Sequence, residues 1–434
     1  MTKRQIFNIS ANILFISALF ISFSGRSLTG VTIFNFRIGE VIVGSLFVLS
    51  IFALFYKNVE LKKELLTFKI MIGIYFISIV FINDFSLTTY LIESSSYIWM
   101  ISLFFLSLTL SKFIKDDSWL FIFYLILPFL LYFTEAVSYP EFLKNFYIQY
   151  SDKFDFLKGS DLAMIVISAQ IFSILKLKKS FNTFTYIIFV NALFLPFLLY
   201  KSKGAFLGAF LFFIVIFIKN STYCFSKLKN ISVIGAGVLI FMVSINHVSQ
   251  LNLYGDDSSI SYVEQTASNL GSIVDSKNSR AIFSSLYIQD GRLFSTENNA
   301  NWRLEIWQDV IFNLYESEQL YFGYGYSDKI PEMELPHRQG TDGSNENVHN
   351  FIINILARGG LFGVVPYLAF ILFLLIRSVK KSDNYLIVLY VFSIFAISFF
   401  GATNESVRYP FIFYTFLGYY FNHLDKTYKY KLLK

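Results

Sequence analysis

A histidine stands where a polar stretch of the chain becomes apolar. Residues 345–360 read NENVHNFIINILARGG, and the apolar run that follows His349 continues to about residue 375 with Arg358 as its one charged residue. An imidazole is the side chain best matched to proton transfer near neutral pH, so His349 is a candidate general base. As a cation it can instead hydrogen-bond a phosphate, and the structural alternative is an interfacial capping histidine.

The elements that position this histidine are predicted to be membrane helices. Of the 434 residues, 55% are hydrophobic and only 15% are charged, whereas an ordinary soluble domain has about 25% charged residues. Because about 20 apolar residues in a helix cross a bilayer, the composition predicts an all-α polytopic membrane protein. Twelve apolar runs predict twelve spans, centred on residues 6–24, 31–56, 67–83, 87–110, 119–139, 161–176, 182–200, 203–218, 230–247, 349–376, 384–401 and 409–422.

The basic residues predict the orientation of these spans. With twelve spans and the N-terminus inside, the short cytoplasmic segments contain 21 of the 36 Lys and Arg residues, as the positive-inside rule requires. Both termini are therefore expected in the cytoplasm, and the first run, which follows MTKR without a cleavage site, is expected to remain as an anchor. The single cysteine, Cys224, excludes an intrachain disulfide.

The same orientation divides the chain into three parts. Residues 1–247 form spans one to nine, residues 248–348 form one large outer loop, and residues 349–434 form spans ten to twelve. The loop contains fifteen acidic and six basic residues, a formal charge of −9, although the whole chain is at +6. The net charge therefore hides a basic cytoplasmic face and an acidic outer loop, and it does not argue for nucleic acid as a partner.

The outer loop is predicted to contain one amphipathic helix. Residues 255–300 are rich in Ser and Asn, which favours irregular structure. Residues 301–317 place Leu304, Trp307, Ile311 and Leu314 at helical spacing, with Ile306 and Val310 beside them. This helix is expected to lie on the bundle or in the outer headgroup layer.

No metal or cofactor site is predicted. The chain has no Asp-x-Asp pair, no His-Glu-x-x-His and only one cysteine, so ligands for Mg²⁺ or Zn²⁺ do not occur at usable spacing. A loop carboxylate can still take part in catalysis, and Glu346 is the one closest in sequence to His349.

Several short motifs of this chain, and the order in which they follow one another, resemble those of the O-antigen polymerase and ligase superfamily. The segment KSKGAFLGAF (201–210) is similar to the family's S-R-G segment, with Lys203 where Arg is usual. Lys keeps the charge but loses the bidentate fork of Arg. The other matching features are Arg303 with Trp307 four residues later, FGYG (322–325), HN (349–350) and RGG (358–360) with Gly363.

The resemblance implies a glycosyltransferase that uses an undecaprenyl-diphosphate-linked oligosaccharide as donor, without a metal, at the periplasmic face of the bacterial inner membrane. A polymerase would move the growing glycan onto a lipid-linked repeat unit, and a ligase would move it onto the lipid A core. A chain-length regulator protein is a further expected partner. His349 and Arg303 are expected to be catalytic. The diphosphate is expected to bind Lys201, Lys203, Arg358 and Arg408, because a diphosphate leaving group needs preorganised positive charge.

A transporter or flippase of lipid-linked oligosaccharide is the alternative from another class. Arg37 and Glu40, three residues apart and able to neutralise each other on one helix face, would then be coupling residues together with Glu93. The single large outer loop and the lack of visible similarity between the two halves of the chain count against this alternative.

Overall fold

The structure is a computed structural model, and it describes most of the chain. The described residues are 2–34, 36–55, 61–79, 87–114, 120–152, 154, 156–177, 180–250, 281–283, 286–289, 291–295, 298–326, 329–338, 348–382, 385–400 and 408–427.

Helices dominate the described residues, and each of the twelve predicted apolar runs contains one or more of them. In chain order the helices are α1 (Lys3–Thr29), α2 (Ile38–Leu54), α3 (Lys62–Ile79), α4 (Leu87–Ser94), α5 (Ile101–Leu110), α6 (Leu120–Tyr132), α7 (Glu141–Tyr150), α8 (Gly159–Lys176), α9 (Ser180–Lys201), α10 (Lys203–Lys219), α11 (Ser221–Cys224), α12 (Leu228–Ser249), α13 (Asn298–Glu316), α14 (Phe351–Ser382), α15 (Tyr385–Phe400) and α16 (Arg408–Thr427). Short π-helical turns follow α4 and α6, at Ser95–Trp99 and Phe133–Val137. Short 3-10 turns occur at Ser111–Phe113, Pro331–Met333 and Pro336–Arg338.

Six helical stretches in the described part of the chain are long and apolar enough to cross a membrane, and a seventh arises if α4 and α5, bent by 51°, form one span. The protein is therefore a multi-pass α-helical membrane protein. The six stretches are Arg4–Thr29, Leu120–Val137, Gly159–Lys176, Ser180–Lys201, Leu228–Ser249 and Phe351–Lys380.

The central element of the bundle is α16. It packs against α1, α5, α8, α14 and α15, and its residues 408–422 are all buried. A helix that is buried all round is expected to be apolar all round, and most side chains from Phe411 to Phe421 are aromatic or aliphatic. This central position carries Arg408, the first residue of α16, into the interior.

Two small sheets differ from the predictions made for their segments. Residues 281–295 were expected to be irregular, but β3 (Ala281–Phe283), β4 (Leu286–Gln289) and β5 (Arg292–Ser295) form an antiparallel sheet. Gln289 pairs with Arg292 across the dipeptide DG, a sequence favoured in two-residue hairpins that the Ser-rich and Asn-rich composition obscured. Residues 251–280 of the same segment lie outside the described residues.

A hairpin at residues 31–37 delays the start of the second membrane helix. Its strands are β1 (Thr32–Ile33) and β2 (Phe36–Arg37), and α2 begins only after them. Arg37 is therefore not on the helix face with Glu40, and the predicted ion pair between them is wrong. Its guanidinium instead lies 2.8 Å from the Asp152 carboxylate, while the Glu40 carboxylate accepts the Arg37 backbone N–H at 3.1 Å.

Candidate functional site

The helix that follows His349 is broken at Gly360. Gly360 has φ +59°, outside the helical region, and the backbone groups freed by this break are paired with residues 320–325. The N–H groups of Leu361 and Phe362 donate to the carbonyls of Leu320 (2.9 Å) and Tyr321 (3.1 Å). In return, the N–H groups of residues 324 and 325 donate to the carbonyls of residues 357 (2.7 Å) and 358 (3.0 Å). Membrane-embedded backbone requires such partners.

Glycine is needed on both sides of this pairing. A Cβ at Gly360 would lie 2.3 Å from the Tyr321 carbonyl carbon, and a Cβ at Gly323 would lie 2.6 Å from the Ala357 oxygen. The FGYG and RGG motifs therefore form one backbone joint between the outer loop and α14. Arg358 belongs to this joint, since it is buried and its guanidinium donates to the Gly325 carbonyl at 3.4 Å.

The amphipathic helix predicted at residues 301–317 is α13, and it packs on α14. Ile306, Val310 and Leu314 are fully buried on its inner face, where their cluster includes Val348 and Ala357. The inner face is rotated from the predicted one, because Ile311 is 44% exposed. Arg303, near the start of α13, lies near enough to His349 for its charge to act on the imidazole.

His349 is held between two anchored neighbours. The indole N–H of Trp307 donates to the Val348 carbonyl at 2.7 Å. Asn350 directly precedes α14, and its side-chain oxygen accepts the backbone N–H groups of residues 352 (3.0 Å) and 353 (3.2 Å), as a helix cap does. His349 itself has φ +55°, a left-handed conformation that costs a non-glycine residue about 1 to 2 kcal/mol. Such a conformation persists where the surroundings impose it.

Burial and two nearby positive charges favour the neutral form of the His349 ring. Its ring lies 5.3 Å from that of Trp302, centroid to centroid. Burial, then the charges of Arg303 and Lys158, lower the pKa of His349 from 6.5 to about 4. At pH 7 the imidazole is therefore a neutral group with a ring nitrogen able to accept a proton.

Two of the cations predicted to bind a diphosphate are instead held in buried ion pairs. The Lys201 ammonium lies 2.8 Å from the Glu135 carboxylate. Arg408 makes a bidentate contact with Asp161, with both N to O distances at 3.0 Å. All four side chains are buried or nearly so, with exposures of 11% and 2% in the first pair and 7% and 4% in the second. In contrast to the prediction, neither cation lies open at the mouth of the bundle.

The remaining predicted cation, Lys203, is exposed at the first turn of α10. The sequence analysis missed Lys158, Glu135 and Asp161. Glu135 could have been identified from the sequence, because a carboxylate inside an apolar run requires a partner.

Breaking the Lys201 and Glu135 pair is expected to destabilise the protein strongly. Glu135→Leu leaves a buried ammonium without its carboxylate, which costs about 3 to 5 kcal/mol. The double variant Glu135→Leu with Lys201→Met removes both charges and is expected to recover most of that loss. Thermal unfolding of the detergent-purified protein measures both effects. A double variant as unstable as the single one would contradict the prediction, and Asp152→Ala at the exposed pair with Arg37 is the control, expected to change stability by less than about 1 kcal/mol.

Among the described residues, no group of three or more His, Cys, Asp or Glu side chains is arranged to hold a metal ion. Glu346 lies outside the described residues. A buried loop carboxylate, Glu332, accepts hydrogen bonds from the Tyr324 hydroxyl at 2.8 Å and the Asn313 amide at 2.7 Å. Glu332 thus ties α13 to the turn that pairs with α14.

Comparison with known proteins places this site inside a family domain. Residues 156–368 match the family model described as O-antigen ligase. The match contains Lys158, Lys203, Arg303, His349 and Arg358, whereas Arg408 lies beyond it. No curated protein matches the chain. The members of the family are glycosyltransferase-like enzymes of lipopolysaccharide synthesis that act on lipid-linked oligosaccharides.

Proposed function

Because the chain belongs, through residues 156–368, to the O-antigen polymerase and ligase superfamily, we propose that it is an O-antigen polymerase. It transfers a growing glycan from undecaprenyl diphosphate onto a lipid-linked repeat unit at the periplasmic face of the bacterial inner membrane. The observation that supports the proposal is the position of His349, directly before the cap of an apolar helix and near enough to Arg303 for that charge to lower its pKa.

The proposed topology has twelve spans, cytoplasmic termini and a periplasmic loop at residues 248–348. What supports it is that buried ion pairs join ends assigned to the same side of the membrane. Lys201 and Glu135 lie at two ends assigned to the periplasmic side. Arg377 and Glu64, 2.7 Å apart, lie at two ends assigned to the cytoplasmic side. If one span between two such partners had been missed or added, the assignment would place the partners on opposite sides of the bilayer. They would then be about 30 Å apart and could not form an ion pair.

In the proposed reaction His349 is the general base and Arg303 stabilises the leaving group. The acceptor sugar hydroxyl gives its proton to the neutral His349 ring nitrogen while its oxygen bonds to the anomeric carbon of the donor. The bond between that carbon and the phosphate oxygen breaks, and the electron pair leaves with undecaprenyl diphosphate. The Arg303 guanidinium faces the negative charge that develops there. No step requires a metal.

An O-antigen ligase is the second candidate, because the matching family model is described by that activity. Both enzymes would share the donor site and differ in the acceptor, which for a ligase is the lipid A core. We favour the polymerase because Lys203 departs from the usual Arg and because the chain is rich in Phe and Tyr, with 53 and 28 residues. Both features suit an enzyme whose sugar substrate varies between strains. A chain-length regulator protein is a proposed partner of the polymerase.

The glycan profile of a deletion strain tests this proposal. Loss of a polymerase leaves lipid A core capped with a single repeat unit. Loss of a ligase leaves bare core while long lipid-linked chains accumulate. If lipid-linked repeat units accumulate on the cytoplasmic side instead, the protein is a flippase and the proposal is wrong.

A further inference from the structure

The first turns of α8 and α10 lie against each other. A Cβ placed on Gly159, the first residue of α8, would be only 2.9 Å from the Ser202 Cβ, and Ser202 caps α10. Lys158 directly precedes α8 and Lys203 directly follows Ser202, so these two lysines flank one contact. Both are exposed residues.

The two buried ion pairs fix the backbone beside Lys158. The Lys201 ammonium, paired with Glu135, also donates to the Leu157 carbonyl at 2.9 Å. The Asp161 carboxylate, paired with Arg408, also accepts the Lys158 backbone N–H at 3.3 Å. One member of each pair therefore holds the backbone of residues 157 and 158. The segment that directly precedes α8 is fixed in this way by residues of α8, α9, α16 and the π-helical turn after α6.

Lys158 also lies near enough to the proposed base for its charge to act on it. Its charge acts on the His349 ring together with that of Arg303. The diphosphate of the donor is bonded to the anomeric carbon, and that carbon must lie within reach of the acceptor oxygen from which His349 takes the proton. A cation near His349 is therefore also near the position that the diphosphate would take in the proposed reaction.

We propose that Lys158 binds the donor diphosphate opposite Arg303, and that Lys201 and Arg408 act as positioning residues through their ion pairs with Glu135 and Asp161. The inference rests on the proposed function and assigns a further residue to its donor site. Lys is an established phosphate-binding side chain, acting as a point charge. The adjoining first turns of α8 and α10 add backbone N–H groups and a positive dipole end to the same place.

Binding of undecaprenyl diphosphate to the purified full-length protein in lipid nanodiscs tests this inference. Lys158→Ala is expected to weaken binding about tenfold to a hundredfold, the usual effect of one charge-assisted contact. Lys158→Arg is expected to restore most of it, because the positive charge returns. Lys144→Ala, which removes an exposed lysine on α7, is the matched control and is expected to bind like the unmodified protein.

The outcomes separate the inference from the proposed function. If Arg303→Ala loses binding while Lys158→Ala binds like the unmodified protein, Lys158 is not a ligand and the proposed function stands. If the unmodified protein does not bind undecaprenyl diphosphate at all, the proposed function and the inference both fall. Failure of Lys158→Arg to restore binding, with thermal unfolding unchanged, also contradicts a role for the charge.

Discussion

Replacing His349 with alanine is expected to abolish glycan chain extension while the protein stays in the membrane at its normal level. Loss of a general base lowers the rate of transfer by about 10²- to 10⁴-fold. The substitution leaves in place Asn350, whose side-chain oxygen caps α14, so the fold is expected to survive. The measurement is the ladder of O-antigen chain lengths in a deletion strain that carries the variant, with immunoblots of the membrane fraction.

A second substitution at the same position separates chemistry from backbone conformation. His349 has φ +55°, and asparagine tolerates the left-handed region better than alanine does. His349→Asn is therefore expected to be as inactive as His349→Ala, with stability closer to that of the unmodified protein. His423→Gln, at the opposite end of α16 from Arg408, is the control and is expected to keep full activity. Chain extension at a normal rate by His349→Asn would remove the proposed base.

Arg303→Ala is expected to lower kcat/KM by about 10²- to 10³-fold, since it removes a preorganised donor facing the leaving group. It is also expected to change the pH profile. A general base is active only when it is unprotonated, so kcat/KM is expected to fall as the pH decreases through the His349 pKa of about 4. This fall is the acidic limb of the pH profile. Because the Arg303 charge lowers this pKa, its removal moves the acidic limb to higher pH, toward the ordinary value of 6.5. Initial rates between pH 4 and pH 8 measure both effects.

The control for Arg303 is a cation from the same outer loop. Arg292 on β5 pairs with Asp309 on α13, and Arg292→Ala is expected to leave both the rate and the pH profile unchanged. Arg303→Lys keeps the charge without the bidentate fork, so it is expected to recover the pH profile more than the rate. An acidic limb that stays in place in Arg303→Ala would show that this charge does not act on His349.

Each of the twelve apolar runs contains a helix, because length and hydropathy are local properties of the chain, and six helical stretches of the described residues are long and apolar enough to cross a membrane. The same holds for α13, whose periodicity predicted the helix, although Ile311 proved to be exposed. The periodicity of apolar residues is enough to predict a helix, but the rotation of the helix about its axis depends on the surface against which it packs. Here that surface is α14 with residues 330, 333 and 348.

The pairing of the cations could not be predicted from sequence. Lys201 and Glu135 are 66 residues apart, and Arg408 and Asp161 are 247 residues apart. Which carboxylate meets which cation is decided by helix packing, so counting cations near predicted outer ends overestimated how many are open to a ligand. Lys158 was passed over for the same reason, since its significance comes from the contact between the first turns of α8 and α10.

The RGG motif shows a further limit of local pattern. Gly359 and Gly363 have the spacing that is typical of a close helix contact. In the structure the essential glycine is Gly360, where α14 breaks and pairs with residues 320 and 321. Close backbone pairing between segments about 40 residues apart requires a glycine, which can be seen in the sequence. The segment with which that glycine pairs is known only from the folded structure.

A cryo-EM structure of the protein in nanodiscs with undecaprenyl diphosphate tests the central claim most directly. The account predicts that the diphosphate lies in contact with the Arg303 guanidinium, with its first phosphate beside the His349 ring and the polyprenyl chain directed into the bilayer. A diphosphate bound elsewhere, out of contact with Arg303 and shielded from His349 by protein, would contradict the account.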